Sequence, residues 1–164
     1  MRDDIRIRPA VAEDAETIHA ALKTMAAGMK AGSKFVSTAD DIRRHGFGPS
    51  PAFEVLIAEA GGTFAGLCLN FPSFSTWMGT PGLYVQDLYV ADAFRGGRIG
   101  ERLLQAAAQR GHARGARYLR LSVDVENVRA QAFYDRLGIR HCRDEHIHMI
   151  KGADFEAFAG GENA

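Results

Sequence analysis

The feature that most constrains this chain is a glycine-rich turn set between a strand-sized run and an amphipathic helix. Leu83 to Val90 reads as a strand and Arg95-Gly96-Gly97-Arg98-Ile99-Gly100 as the turn. From Ile99 onward, Leu103, Leu104 and Ala107 fall on one helical face, and Gly115 makes a natural stop. A turn that opens a helix presents unpaired N-terminal amides whose partial positive charge suits an anion. Gly96, Gly97 and Gly100 carry no side chain to block a phosphate. The turn is not a Walker A sequence, because no Gly-Lys-Ser/Thr follows, and its spacing fails the GxGxxG dinucleotide pattern. Taken alone, it reads equally well as an anion site or as a simple reversal of the chain.

The rest of the pattern alternates strands and helices. Ile5 to Arg8 predicts a first strand that stops at Pro9, and Ala15, Ile18, Leu22 and Met25 mark a first helix. Thr38, with Asp41 three residues on, predicts the capped start of a short helix ending near Gly46. Phe53 to Glu59 and Phe64 to Asn70 predict a hairpin closed by Ala60-Gly61-Gly62-Thr63. Phe71 to Gly82, with Trp77 and two prolines, breaks the periodicity and predicts a loop. Beyond the turn, Tyr118 to Val123 predicts a strand, Asn127 to Leu137 a helix stopped by Gly138, and Ile147 to Lys151 a late strand. Periodicity alone places the chain in the α/β or α+β class. Its 164 residues suit one domain over 1–159, with a loose tail over 160–164.

Composition excludes several function classes. Twenty basic and twenty acidic residues balance, so no global field attracts a nucleic acid or an acidic membrane surface. Apolar runs are strand-sized, and no secretory h-region follows Met1 to Asp4, which predicts a cytoplasmic protein. Cys68 and Cys142 lie far apart in no metal-type spacing and read as two reduced packing residues. Cys142, His146 and His148 lack a fourth ligand in pattern, so no metal site is expected; the two histidines read instead as the solvated face of an alternating strand, opposite Ile147 and Met149.

Two segments carry a family resemblance. Asp87-Leu88-Tyr89-Val90, followed by Phe94 to Gly100 and Leu103-Leu104, resembles the acetyl-CoA motif of the GNAT superfamily of N-acetyltransferases. Asn127-Val128-Arg129-Ala130-Gln131-Ala132-Phe133-Tyr134-Asp135-Arg136-Leu137-Gly138 resembles the second signature of that superfamily. Arg98 departs from the pattern, standing where the family's first glycine usually stands. The segments Asp41 to Gly48, Ser75 to Gly79 and Leu83 to Val90 are more narrowly similar to spermidine/spermine and diamine acetyltransferases.

This resemblance implies a mixed, strongly bent sheet flanked by helices, with acetyl-CoA in a cleft between two splayed central strands, and a homodimer. It implies that Leu88, Tyr89 and Val90 bind the pantetheine arm through their backbone, and that Arg95, Gly96, Gly97, Arg98, Ile99 and Gly100 hold the pyrophosphate. Asn127, Ala130 and Phe133 complete the donor site, and Tyr134 matches the acid that protonates the departing sulfur. A phenol stays protonated until a thiolate develops, since the two groups titrate near ~10 and ~8.5. Asn127 is equally suited to cap a helix, and Tyr134 to pack against Phe133. Polyamine acetyltransferases of this type carry a glutamate as base just before the strand aspartate, and here that position is Gln86. On strict alternation Tyr84 and Gln86 share one face, where with Trp77 they would line the acceptor pocket, and Asp87 points to the other. Asp87 reads as either a partner for the substrate ammonium or a structural pair for an arginine. The acceptor is expected to be the primary amine of a small molecule; a peptide N-terminus and a non-catalytic acetyl-CoA-binding domain are the alternatives.

Overall fold

The computed structural model describes residues 4–161 and divides the chain into two compact units, one ending at Ser122 and the other beginning at Val123. The first unit holds β1 (Ile5–Pro9), α1 (Ala15–Gly28), α2 (Ala39–Phe47), β2 (Glu54–Ala60), β3 (Thr63–Ser75), β4 (Thr80–Val90), α3 (Ile99–Ala113) and β5 (Leu119–Leu121). The second holds α4 (Val128–Arg136) and α5 (Gly152–Ala159). Residues 162–164 of the expected tail lie outside the described residues.

The five strands lie in the order β1-β2-β3-β4-β5, antiparallel throughout except for the parallel β4–β5 pair. A parallel pair needs a crossover, and α3 supplies it. Alternation along the sheet sends side chains to two faces. Val55, Ile57, Leu67 and Leu69 meet Ile18 and Leu22 of α1 and Ile42 of α2 in one buried cluster. On the other face Leu103 of α3 lies against Gly66, and Leu83 lies against Gly111. The mixed sheet with flanking helices agrees with the expected class. Thr38 caps α2 as its sequence indicates, accepting from the Asp41 amide at 3.1 Å while the Asp41 carboxylate accepts from the Thr38 amide at 2.8 Å.

Three expectations need correction. The stretch from Phe71 to Gly82 is strand for most of its length, because β3 runs to Ser75 and β4 begins at Thr80. Its prolines misled. Pro72 lies beyond the last β2 pair, Glu54 with Asn70, and Pro81 lies before the first β5 pair, so neither ring removes a ladder hydrogen bond on its outer side. Ile147 to Lys151 is not a strand: no strand pairs with it among the described residues, and Ile147 and Met149 are both exposed along with His146 and His148. A period of two describes a strand only when a partner ladder exists. Finally, Cys68 is a buried packing residue but Cys142 is exposed.

Candidate active site

The site is built around a β-bulge in β4. Leu69 pairs with Asp87 and the next residue, Asn70, pairs with Val85, so Gln86 is an extra residue without a partner on β3. Two consequences follow. Directly paired residues share a face, and Phe71, Leu69 and Leu67 pair with Tyr84, Asp87 and Tyr89. Tyr84 and Asp87 therefore lie on the same face of the sheet, that of α1 and α2, which corrects the assignment of Asp87 to the opposite face. Strict alternation fails because the bulge inserts one residue between them.

The second consequence concerns the other edge of β4. Its parallel ladder with β5 covers only Leu83, Tyr84 and Val85, and it ends where the bulge begins. From Gln86 to Val90, β4 has β3 on one side and no strand on the other among the described residues. Alternate backbone amides along this segment, which contains Leu88, Tyr89 and Val90, point away from β3. The two strands part at the position where a splayed pair was expected.

The glycine-rich turn follows directly. Gly96 adopts φ +80° with nothing near the place of a side chain, and Arg98 holds the left-handed φ of +57°. A glycine reaches that conformation without strain, so Arg98 keeps the backbone shape of the residue it replaces. The Arg98 guanidinium turns to Glu101, donating to its two carboxylate oxygens at 2.9 and 2.8 Å. Arg95 pairs with Asp92 at 2.8 Å. Among the described residues no side chain caps α3 at Arg98, and Ile99 is buried and anchors the helix start, whose first-turn amides are of the kind that suit an anion. A free strand edge leading to an uncapped helix start fits a donor with an extended arm ending in a pyrophosphate.

Of the residues expected to line an acceptor pocket, Tyr84 stacks on Phe71 with ring centroids 5.1 Å apart, and its hydroxyl lies 2.7 Å from Ser122 Oγ. Gln86 is exposed. Trp77 is fully exposed at the tip of the β3–β4 turn, roughly 20 Å along β4 from Asp87 at the rise of an extended strand. The structure does not bring Trp77 to Tyr84, Gln86 and Asp87. The Asp87 carboxylate accepts no hydrogen bond and forms no ion pair among the described residues. Burial pushes its carboxyl up to about 6. Burial, with the charges of Asp87 and Glu54 adding to it, pushes the Cys68 thiol up to about 12, so this thiol is no nucleophile at neutral pH.

Within the second unit, Asn127 caps α4, its Oδ1 accepting from the Ala130 amide at 3.1 Å. Ala130 and Phe133 follow at helical spacing on the same side. Tyr134 meets Phe133 edge-on with centroids 5.2 Å apart, and Gly138 ends the segment at φ +80°.

A sequence profile described as the acetyltransferase (GNAT) family matches residues 23–139. The chain belongs to the GNAT acetyltransferase family. Among relatives of this GNAT enzyme, a thialysine N-epsilon-acetyltransferase from Bos taurus is 29% identical over 167 residues, covering 95% of this chain and 98% of the relative. A spermidine/spermine N(1)-acetyltransferase-like protein 1 from Homo sapiens is 33% identical over 114 residues, covering 65% of this chain and 16% of that one. Of solved structures, an integron cassette protein from the mobile metagenome of V. cholerae has a TM-score of 0.80 at 18% identity, covering 94% of this chain and 97% of the other. This last likeness concerns the fold. The signal that sequence reasoning missed is the bulge, which no residue type announces.

Proposed function

We propose that this GNAT acetyltransferase moves the acetyl group of acetyl-CoA to the primary amine of a small molecule, by direct attack in a ternary complex. The observation that carries this reading is the free edge of β4 from Gln86 to Val90, leading into the uncapped start of α3. Leu88, Tyr89 and Val90 would hold the pantetheine arm with their backbone, and Arg95 to Gly100 the pyrophosphate. Acetyl-CoA supplies the activated acetyl carbonyl as a substrate. Asn127, Ala130 and Phe133 would contribute to the donor site and Tyr134 would protonate the leaving sulfur, roles supported by the second family signature. Tyr84, Gln86 and Asp87 form the acceptor end. The names of the relatives, which include acetyltransferases of thialysine and of polyamines, support an acceptor with a flexible aliphatic amine. A cytoplasmic homodimer is part of the proposal, supported by the family resemblance and, for the compartment, by two free thiols.

A thiol-release assay on lysine analogues, diamines, polyamines and amino acids tests the reading, with calorimetry of acetyl-CoA binding beside it. Turnover of at least one alkylamine is expected. Absence of acetyl-CoA binding would overturn the donor site, and binding without turnover would leave a non-catalytic domain. Tyr134→Phe should lower kcat about 100-fold, the scale of lost general acid catalysis, with acetyl-CoA affinity retained. Full turnover by that variant when chemistry limits the rate would remove Tyr134 from the acid role.

A further inference from the structure

We propose that the Asp87 carboxylate is the general base that takes a proton from the acceptor ammonium; the inference rests on the acetyl-transfer reading above. An alkylammonium cannot attack a carbonyl until it loses a proton, and the Gln86 amide is unable to accept one at useful pH. The bulge places the next side chain, Asp87, on the face of Tyr84, directly before the Leu88 to Val90 segment proposed to hold the donor.

The company that Asp87 keeps sets it apart. The other half-buried carboxylates of the first unit are each held by an arginine. Asp14 and Glu59 share Arg8, at 2.8 Å each, and Glu54 meets Arg110 at 3.0 Å and Arg114 at 3.1 Å. Among the described residues Asp87 has no such partner. Its face of β3 presents Leu67, Leu69 and Phe71, and the inward face of α1 presents Ile18 and Leu22. The titratable groups nearby are few. Tyr84 and Tyr89 share its strand face, Cys68 sits on the opposite face of β3, and His19 on α1 is engaged with the Ser37 carbonyl at 2.9 Å. On β5, Arg120 pairs with Tyr84 and so shares this face, but among the described residues it makes no ion pair with Asp87, whose carboxyl is shifted by burial. A partnerless carboxylate is destabilising where apolar groups surround it and water is scarce, and such groups are characteristic of working sites. Burial raises this one to about 6, nearer to the amine than an ordinary aspartate.

The step balances as follows. The ammonium gives one proton to a carboxylate oxygen of Asp87, and the neutral amine forms the N–C bond to the acetyl carbonyl. The C–S bond breaks, and the second amine proton leaves with the sulfur as a thiol, relayed by the acid proposed as Tyr134. Asp87 then returns its proton to water.

The test is Asp87→Asn, which keeps the shape and removes the acceptor. Across about pH 5 to about pH 9, the wild type should show an acid limb of kcat near pH 6, and the variant should lose that limb with kcat down about 100-fold and KM within a few fold. Calorimetry should find acetyl-CoA affinity unchanged. A weakly basic amine, already neutral at the assay pH, should restore the variant to within a few fold of wild type. A variant that raises KM alone would make Asp87 an ammonium-binding group and overturn the proposal, as would equal loss with both amines. In the wild type, the acid limb should appear with an alkylamine and vanish with the weakly basic one; its presence with both overturns the proposal without any variant. Failure of the acetyl-transfer reading looks different, being a wild type that turns over neither amine.

Discussion

An ionised carboxylate without a partner weakens the fold that holds it. Asp87 has a folded value of about 6 against an ordinary 3.8, so the folded state binds its proton more tightly than the unfolded state does. Stability is therefore highest below the ordinary value and is lost as pH rises toward the folded one. The interval corresponds to at most ~3 kcal/mol above pH 6. Asp87→Asn should accordingly stabilise the protein at pH 8, a gain that shrinks as the pH is lowered through 6 and is gone below about 4 in urea unfolding. A variant no more stable than wild type at pH 8 would show that Asp87 is compensated within the fold. At this scale the sequence was readable where chemistry is written in residue type. Gln86 stands out as a missing base, Thr38 and Asn127 as caps, and Arg98 as a departure. Residue type does not say which way Asp87 faces, because orientation depends on the count of residues since the last pair.

Gly66 of β3 lies tight against the backbone of β4. A methyl group there would lie 2.5 Å from the Tyr89 carbonyl oxygen and 3.3 Å from Val90 Cα, both backbone atoms that give way only if the strand moves. Gly66→Ala should therefore push β4 away from β3 along the proposed donor segment. Overpacking of this kind costs about 1–3 kcal/mol. We expect a matching fall in the urea midpoint and a several-fold loss of acetyl-CoA affinity by calorimetry; unchanged affinity would detach Tyr89 and Val90 from the donor site. Among the elements, the long periodic ones were legible: α1 and α3 follow their apolar stripes, and Gly115 and Gly138 follow α3 and α4 at φ +99° and +80°. The ends of β3 and β4 were not, since a proline breaks a strand only where its amide is needed, and neighbours decide that. The late strand at Ile147 fails for the same reason, its alternation having no partner to be read against.

Charge balance over the whole molecule hides opposing local effects. The hydrogen bond from Arg8 holds the Asp14 carboxyl below the usual range, and Arg110 and Arg114 do the same for Glu54 against the opposite pull of burial. Their contribution is complete above the ordinary carboxylate values and is lost as pH falls through the depressed ones, which is the reverse of Asp87. The urea midpoint should hold level or rise between about pH 7 and about pH 5, then drop below about pH 4. A steady decline from neutrality would show that Asp87 does not oppose the other carboxylates. The family and fold class were legible from two motifs in order. What the pattern of letters could not contain is the phase change inside β4. A strand with one uncounted residue is two reading frames joined end to end: Thr80 to Val85 keeps step with β3 and, over Leu83 to Val85, with β5 as well, and Asp87 to Val90 keeps step with β3 alone. Under the proposed roles, side chains in the first frame can be exchanged to refit an acceptor while the second frame keeps the base and the backbone presented to the donor, so the chain can change what it acetylates without relearning how.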